Sequence, residues 1–348
     1  MYCQNIYRIH YIKLIIVVIQ LQLNILQSVT IMKKIFATFL IFFIFFLMLA
    51  FPSITKDAAH RGLNLWIFTV MPALLPYTII SSILLYINAF SLPCRLISKL
   101  VHIKLPENYI FTCICGLLCG CPIGAKVAAD NYYAGNLSKS SAEFLMCAFN
   151  CISPSFLINY VFVEVYSPYI ALSFTDRWLI FVILILSSII GATICFLLPG
   201  NKEISTKEKR HNQSCSIHKQ ALGTLVDNCI LSAFEIQVKI GGYIILFTII
   251  TQLLLHTLNL TPISTCILGS ALEITSGLGT FATYIINTSP AIFSLIPCII
   301  TSLTAFGGIC TVFQTKTVIS CTDLSIAKYV IAKIIASIIS FILVYFLL

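Results

Sequence analysis

The sequence predicts an all-α polytopic membrane protein, an inverted repeat whose halves each read helix, re-entrant hairpin, broken helix and closing helix. Three observations predict it. Hydrophobic residues make up 59% of the 348 and charged residues only 9%, against roughly 25% charged in soluble domains, so no soluble core of this size hides the apolar surface. Long apolar runs are interrupted by polar, glycine- and proline-bearing breaks, first at Gly120-Cys121-Pro122-Ile123-Gly124 and again at Asn150-Cys151-Ile152-Ser153-Pro154. Irregular backbone at membrane depth survives only where protein covers it or where it lines a wet cavity. The two halves of the chain also repeat the same order of runs and breaks.

Composition removes several functional classes. The formal charge of +9 is read as orientation signal and contact with anionic membrane lipid, not as a nucleic-acid surface. Nearly all of the 15 cysteines fall inside apolar runs, where a thiol behaves as a small hydrophobe. The group Cys113, Cys115, Cys119 and Cys121 lacks the C-x2-C spacing and the histidine of structural zinc sites. There is no nucleotide-binding loop, no G-x-S-x-G and no H-E-x-x-H. No cofactor and no enzymatic activity are therefore expected.

In chain order, residues 1–31 form an N-terminal extension ahead of Met32-Lys33-Lys34, which has the form of a bacterial membrane-protein start. Residues 32–61 hold a first transmembrane helix and a loop; no A-x-A-like site marks cleavage. The first repeat covers 62–199. It opens with an apolar run to about Phe90 in which Pro72 and Pro76 predict a kink. Arg95, Lys99 and Lys104 follow, then the broken segments 109–129 and 144–165 and the span Trp178–Leu198. Residues 200–231 are a basic cytoplasmic linker carrying Lys202, Lys207, Lys209, Arg210 and Lys219, and 232–348 is the second repeat.

Orientation requires the hairpin. If every run crossed the membrane, 95–104 and 200–220 would face opposite sides, against the positive-inside rule. The conflict disappears if 109–129 enters and leaves on one side and turns at Gly120–Gly124. Residues 130–143 and 200–220 are then inside, while 166–177 and 257–262 are outside.

The internal match supports two copies. Tyr77-Thr-Ile-Ile-Ser-Ser-Ile-Leu-Leu85 aligns with Phe247-Thr-Ile-Ile-Thr-Gln-Leu-Leu-Leu255 at an offset of 170, and Ala148-Phe149 aligns with Ala305-Phe306 at an offset of 157. The second offset lays Gly120 on Gly277. With the orientation above, the copies are inverted and their breaks face each other, the architecture in which discontinuous segments build a solute site.

The candidate site comprises Gly120, Pro122, Gly124, Lys126, Asn150, Ser153, Glu273, Thr275, Gly277, Gly307 and Gln314. Lys126 either meets an anionic group in the cavity or snorkels to the cytoplasmic interface. Glu273, in the middle of an apolar run, costs about 2.5–3.5 kcal/mol on insertion scales unless it faces the interior. Asn150 and Ser153 suit a polar uncharged solute, or else satisfy the backbone that Pro154 frees. The glycines let backbone approach backbone or a solute.

From Met32 to Leu348 the chain resembles the YlbJ family of sporulation integral membrane proteins, within the nucleoside-recognition or Gate domain proteins. The resemblance rests on Gly62-Leu-Asn-Leu-Trp66 with Pro72 and Pro76, Gly120-Cys-Pro-Ile-Gly-Ala-Lys126, Phe149-Asn-Cys-Ile-Ser-Pro154, and Phe306-Gly-Gly308 near Gln314. The family's turn carries tyrosine and alanine where this chain has Cys121 and Ile123, a change that touches an aromatic contact but not the backbone shape. The resemblance implies a Gate, nucleoside-transporter-like fold and a multi-pass protein of the mother-cell or forespore membrane of a bacterial spore-former. It further implies a role in spore cortex formation. The function expected is permease-like handling of a small polar solute, nucleoside-like or cortex-related. The alternative is a non-transporting scaffold for sporulation partners; besides lipid and a small polar solute, the partners expected are sporulation proteins or further copies of the chain.

Overall fold

The computed structural model describes residues 32, 34–86, 106–166, 172–198, 222–258, 260–284 and 295–348. The N-terminal extension, the basic connection 95–104 and the basic stretch 200–220 lie outside the described residues. Met1–Thr55 and Lys56–Leu348 are two compact units. In the first, α1 (Lys34–Ala50) exposes Ile35, Phe36, Phe39, Phe42 and Phe46, the all-round apolar surface of a helix that meets lipid.

The chain continues through α2 (Pro52–Asn64), a π-helical stretch Leu65–Val70 and α3 (Met71–Tyr86). The stretch 52–61 is therefore helix, where a loop was expected. Pro72 offers no N–H to the preceding turn, and the π-helical stretch immediately before it absorbs that mismatch.

Next come α4 (Glu107–Cys119), α5 (Ile123–Tyr133), α6 (Lys139–Phe149) and α7 (Pro154–Phe156), the last running into a π-helix at Leu157–Tyr166. The α8 helix (Phe174–Leu197) follows. The second half holds α9 (Leu222–Thr257), α10 (Pro262–Leu272), α11 (Ile274–Tyr284), α12 (Ile296–Phe306), α13 (Gly308–Val318) and α14 (Ile326–Leu347). Helix α9 begins at Leu222, so the last part of the stretch read as a linker to residue 231 is its first turns. Among the described residues five helical stretches are long and apolar enough to cross a membrane: 139–166, 174–197, 223–257, 296–318 and 326–347. The chain is an all-α polytopic membrane protein.

Helices α4 and α5 form a hairpin about Gly120–Pro122. At 13 and 11 residues each reaches about 20 Å or less, short of the roughly 30 Å hydrocarbon layer. They run antiparallel: Asn131 Nδ2 donates to Thr112 Oγ1 at 3.3 Å, and nearer the turn Gly124 stacks on Gly116. Helices α10 and α11 make the second hairpin, with Gly277 pressed on Gly269 and Ser270.

Helices of the first and second halves of the chain pack against each other head to tail. Along α8 and α14, Cys195 Sγ contacts the Lys328 carbonyl at 3.5 Å, Ser188 meets Lys333, and Ile183 clusters with Val344. These pairings run in opposite directions. Both helices bury small or polar residues there, Ser187, Ser188, Gly191 and Ala192 against Ala332, Ala336 and Ser340. On their outer faces Val182, Leu186, Ile190 and Ile194, and Ile334, Ile338 and Ile342, are exposed at four-residue spacing. That is the pattern of helices that pack through small residues and show apolar bulk to lipid. The same antiparallel sense holds for α9 against the π-helical stretch and its flanks. Gly241 faces the Trp66 ring and Ile245 faces Gly62, while Gln252 accepts from Arg61 at 3.2 Å.

The halves also exchange contacts reciprocally. Helix α5 of the first hairpin packs on α13, and α11 of the second hairpin packs on the π-helix Leu157–Tyr166.

Candidate functional site

The first break follows from Gly120, whose φ of 74° and ψ of −162° fall in a region essentially reserved for glycine. A Cβ there would lie 2.6 Å from the Ser153 nitrogen. Four residues to either side, Gly116 and Gly124 would each clash with or crowd the Phe149 carbonyl, at 2.5 and 3.0 Å. The three glycines make a slot in the hairpin into which the second break, Asn150–Ser153, fits. Cys121 N–H donates to the Cys151 carbonyl at 2.6 Å and ties the two breaks together.

Asn150, 1% exposed, is the hub of this seam. Its Oδ1 accepts from the Ala125 N–H at 3.1 Å. Its Nδ2 donates to Thr315 Oγ1 at 3.0 Å and Tyr329 OH at 3.1 Å, with Cys121 Sγ at 3.4 Å. Every polar atom of the amide is engaged by protein. Ser153 caps α7: its Oγ accepts from the Phe156 N–H at 3.2 Å. Both residues thus satisfy backbone and neighbours, one of the two roles open to them in the sequence.

The second half breaks at Glu273, not at Gly277. Glu273 has extended backbone, φ −138° and ψ 113°, between α10 and α11. Its carboxylate, 1% exposed, turns onto the start of α11 and accepts from Thr275 N–H at 3.0 Å and Ser276 N–H at 2.6 Å. The helix dipole and two otherwise orphaned donors hold an anion there, so no glycine is needed at this turn. Gly277 lies inside α11, where a Cβ would sit 2.1 Å from the Ser270 nitrogen; its lack of a side chain serves the hairpin's close packing. The other break is at Gly307 and Gly308, φ 80° and 83°. A Cβ on Gly308 would lie 3.1 Å from the Ser270 carbonyl oxygen and 3.2 Å from the Ile274 nitrogen. In this half too, hairpin break and helix break interlock.

Between the interlocked pairs lies a cavity of about 60 Å³ lined by Cys121, Ser153, Glu273, Thr275, Thr311 and Gln314 among apolar side chains from α3, α7 and α9. Four of the residues singled out in the sequence, Ser153, Glu273, Thr275 and Gln314, therefore converge. A larger recess of about 500 Å³ adjoins it, lined by Pro122, Lys126, Asp130, Glu235, Lys239, Tyr243 and Thr317. Gln314 and Ile240 border both spaces. Lys126 belongs to the outer recess, paired with Asp130 at 2.7 Å and 35% exposed; across it Lys239 pairs with Glu235 at 2.6 Å. Asn150, Gly124, Gly277 and Gly307 line neither space.

Sequence reasoning missed the partners around Asn150. Thr315 and Tyr329 are fully buried and meet its amide. It also missed Lys333, 2% exposed on α14, whose Nζ lies 3.1 Å from Ser188 Oγ and 3.7 Å from Cys151 Sγ. The signal was available: Lys333 stands in an apolar run, as Glu273 does, and the same cost of intramembrane charge applies.

Against known proteins, the chain is 24% identical over 222 residues to a protein of Bacillus subtilis (strain 168) named sporulation integral membrane protein YlbJ. That similarity covers 58% of this chain and 52% of the relative, so the chain spans about half the length of the curated relative it matches. No family model matches the chain, and no solved structure matches it. The chain is thus a multi-pass membrane protein with distant similarity to a sporulation integral membrane protein.

Proposed function

We propose that this chain is a permease-like protein of the sporulating cell's membranes. In this reading a small polar solute passes between the two interlocked breaks, in support of spore cortex formation. The observation that carries the proposal is the cavity in which Ser153, Glu273, Thr275 and Gln314 converge, with Gln314 and Ile240 lining both it and a polar recess. Antiparallel pairing of α8 with α14 and of α9 with α2–α3 supports an inverted repeat, the plan in which such breaks form a solute site near the bilayer midplane. The kinship with Gate and nucleoside-recognition proteins implied by the sequence motifs is part of the same proposal.

At about 60 Å³ the inner cavity holds a few waters, far below the roughly 300–1,000 Å³ of drug-sized ligand sites. A nucleoside-like solute then requires a second arrangement in which the breaks part. The scaffold alternative draws on one observation, that Asn150 and Ser153 are used up by protein partners. Uptake into proteoliposomes separates the readings. Purified protein should accumulate at least one of a panel of radiolabelled nucleosides and amino sugars above protein-free vesicles, and Gln314→Ala should change the rate. Uptake equal to empty vesicles across the panel rejects the permease and leaves the scaffold.

A further inference from the structure

Lys333 is buried at the second break with no carboxylate within ion-pair distance among the described residues. Its Nζ instead faces uncharged groups: Ser188 Oγ at 3.1 Å, Cys151 Sγ at 3.7 Å, and the Tyr329 ring with its centroid at 5.6 Å. Those groups in turn reach the end of α6. Ser188 Oγ lies 3.4 Å from the Cys147 carbonyl, and Cys151 Sγ lies 3.2 Å from the Ala148 carbonyl. Both carbonyls belong to the last turn of α6, whose following residue, Asn150, has left the helix.

A half-helix C-terminus inside a membrane carries the negative end of the helix dipole and carbonyls with no N–H to accept from. In transporters built from discontinuous helices, such ends coordinate the monovalent cation. Here the chain brings its own cation to that place on the antiparallel partner helix. The face of a ring, a hydroxyl and a thiol are weak ligands singly, yet together with the dipole end they are what a desolvated ammonium finds there.

We propose that the α6 terminus is a monovalent-cation site occupied in this protein by the Lys333 ammonium. The tethered group holds the Asn150–Ser153 break closed against α8 and α14. Once vacated, the site takes a small free cation, Na⁺, K⁺ or NH₄⁺. Solute movement consequently has no requirement for an external metal cation. That last consequence rests on the permease reading, whereas the site itself does not.

The test needs no solute. Thermal unfolding of the full chain in detergent is followed for wild type and Lys333→Ala in choline chloride, then in NaCl, KCl and NH₄Cl at equal ionic strength. Wild type should melt at one temperature in all four salts. Lys333→Ala should melt several degrees lower in choline and regain at least half of that loss, saturably, with at least one small cation. A variant that melts like wild type in choline, or that stays low in every salt, overturns the proposal. If Lys333→Ala yields no folded protein, Lys333→Met keeps the bulk and removes the charge. It should melt below wild type; a melt equal to or above wild type overturns the proposal. Because uptake is not measured, failure here leaves the permease reading standing, and failure of uptake leaves the cation site standing.

Discussion

The side-chain oxygen of Asn150 accepts the backbone N–H of Ala125 at 3.1 Å, so a break in one helix caps the first turn of another. Helix α5 starts after Pro122, which has no side-chain acceptor to serve as its own cap. Asn150 supplies that acceptor from α6 and spends its amide protons on Thr315 and Tyr329. Asn150→Ala should therefore be structural. It leaves a buried N–H and two hydroxyls without their partner, a loss of about 1–3 kcal/mol. Thermal unfolding in detergent should drop by several degrees; an unchanged melt contradicts the hub role.

Gly120 is the second point of leverage. Its backbone conformation excludes other residues, and a Cβ would meet the Ser153 backbone at 2.6 Å. Gly120→Ala should cost at least about 1–3 kcal/mol from backbone conformation alone and strip most of the protein from the membrane fraction. Gly242→Ala is the control. Nothing lies within 4 Å of a Cβ there, and it sits inside α9, where alanine should stabilise by about 0.5–1 kcal/mol. Equal accumulation of the two variants would rule out the interlock as the reason for Gly120.

The end of the molecule bearing Lys139 and Asp323 should face the cytoplasm. Their 2.7 Å ion pair joins the first residue of α6 to the turn before α14, and both fall inside under the orientation drawn from the basic residues. An impermeant maleimide, applied to a variant retaining only the exposed Cys321, should label it in permeabilised cells but not in intact ones. Thr175→Cys, exposed at the start of α8, should label in intact cells. The reverse pattern would invert the topology.

The same ion pair gives a modest acid sensitivity. The hydrogen bond from the Lys139 ammonium holds the Asp323 carboxyl below its ordinary value. The stabilisation is then fully present above the unfolded carboxylate value of about 3.9 and is lost as pH falls through the lower folded value. Because Asp323 is 65% exposed, the pair is worth at most about 1 kcal/mol. Asp323→Asn should lower the melt slightly at neutral pH, with the gap to wild type closing in acid. A gap that widens in acid would refute the assignment.

Much of this architecture was legible because membranes restrict it. Apolar runs must be helices, and Gly-Cys-Pro-Ile-Gly must mark a turn because neither glycine nor proline continues a helix cheaply. The second hairpin was placed less well. Alignment by offset sent the turn to Gly277, whereas a carboxylate that caps the next helix in place of a glycine reads in sequence only as a misplaced charge. The start of α9 was obscured because Gly223, Thr224, Asp227 and Asn228 make its first turns polar enough to pass for a linker. The partners of Asn150 were illegible in principle. Thr315 and Tyr329 lie far along the chain, and only the packing of α13 on α5 and of α14 on α6 brings them to it.

Glu273 carries the last prediction, since it is the buried carboxylate that lines the inner cavity. Both of its oxygens accept backbone N–H groups of α11, so the charge is held by the protein and remains available to the cavity without any cation partner among the described residues. Glu273→Gln preserves shape and one accepting oxygen, but it turns an NH₂ group toward a backbone N–H and removes the charge. If the carboxylate only caps α11, the loss is structural: stability falls by about 1 kcal/mol, and uptake per folded molecule in proteoliposomes is unchanged. If it also meets a solute, as the permease proposal has it, proteoliposome uptake should fail even at matched abundance. Glu273→Ser, a shorter cap with no charge, sharpens the choice, because it can restore the helix start but not the anion. Uptake restored by Ser at normal protein levels would remove Glu273 from the proposed solute path.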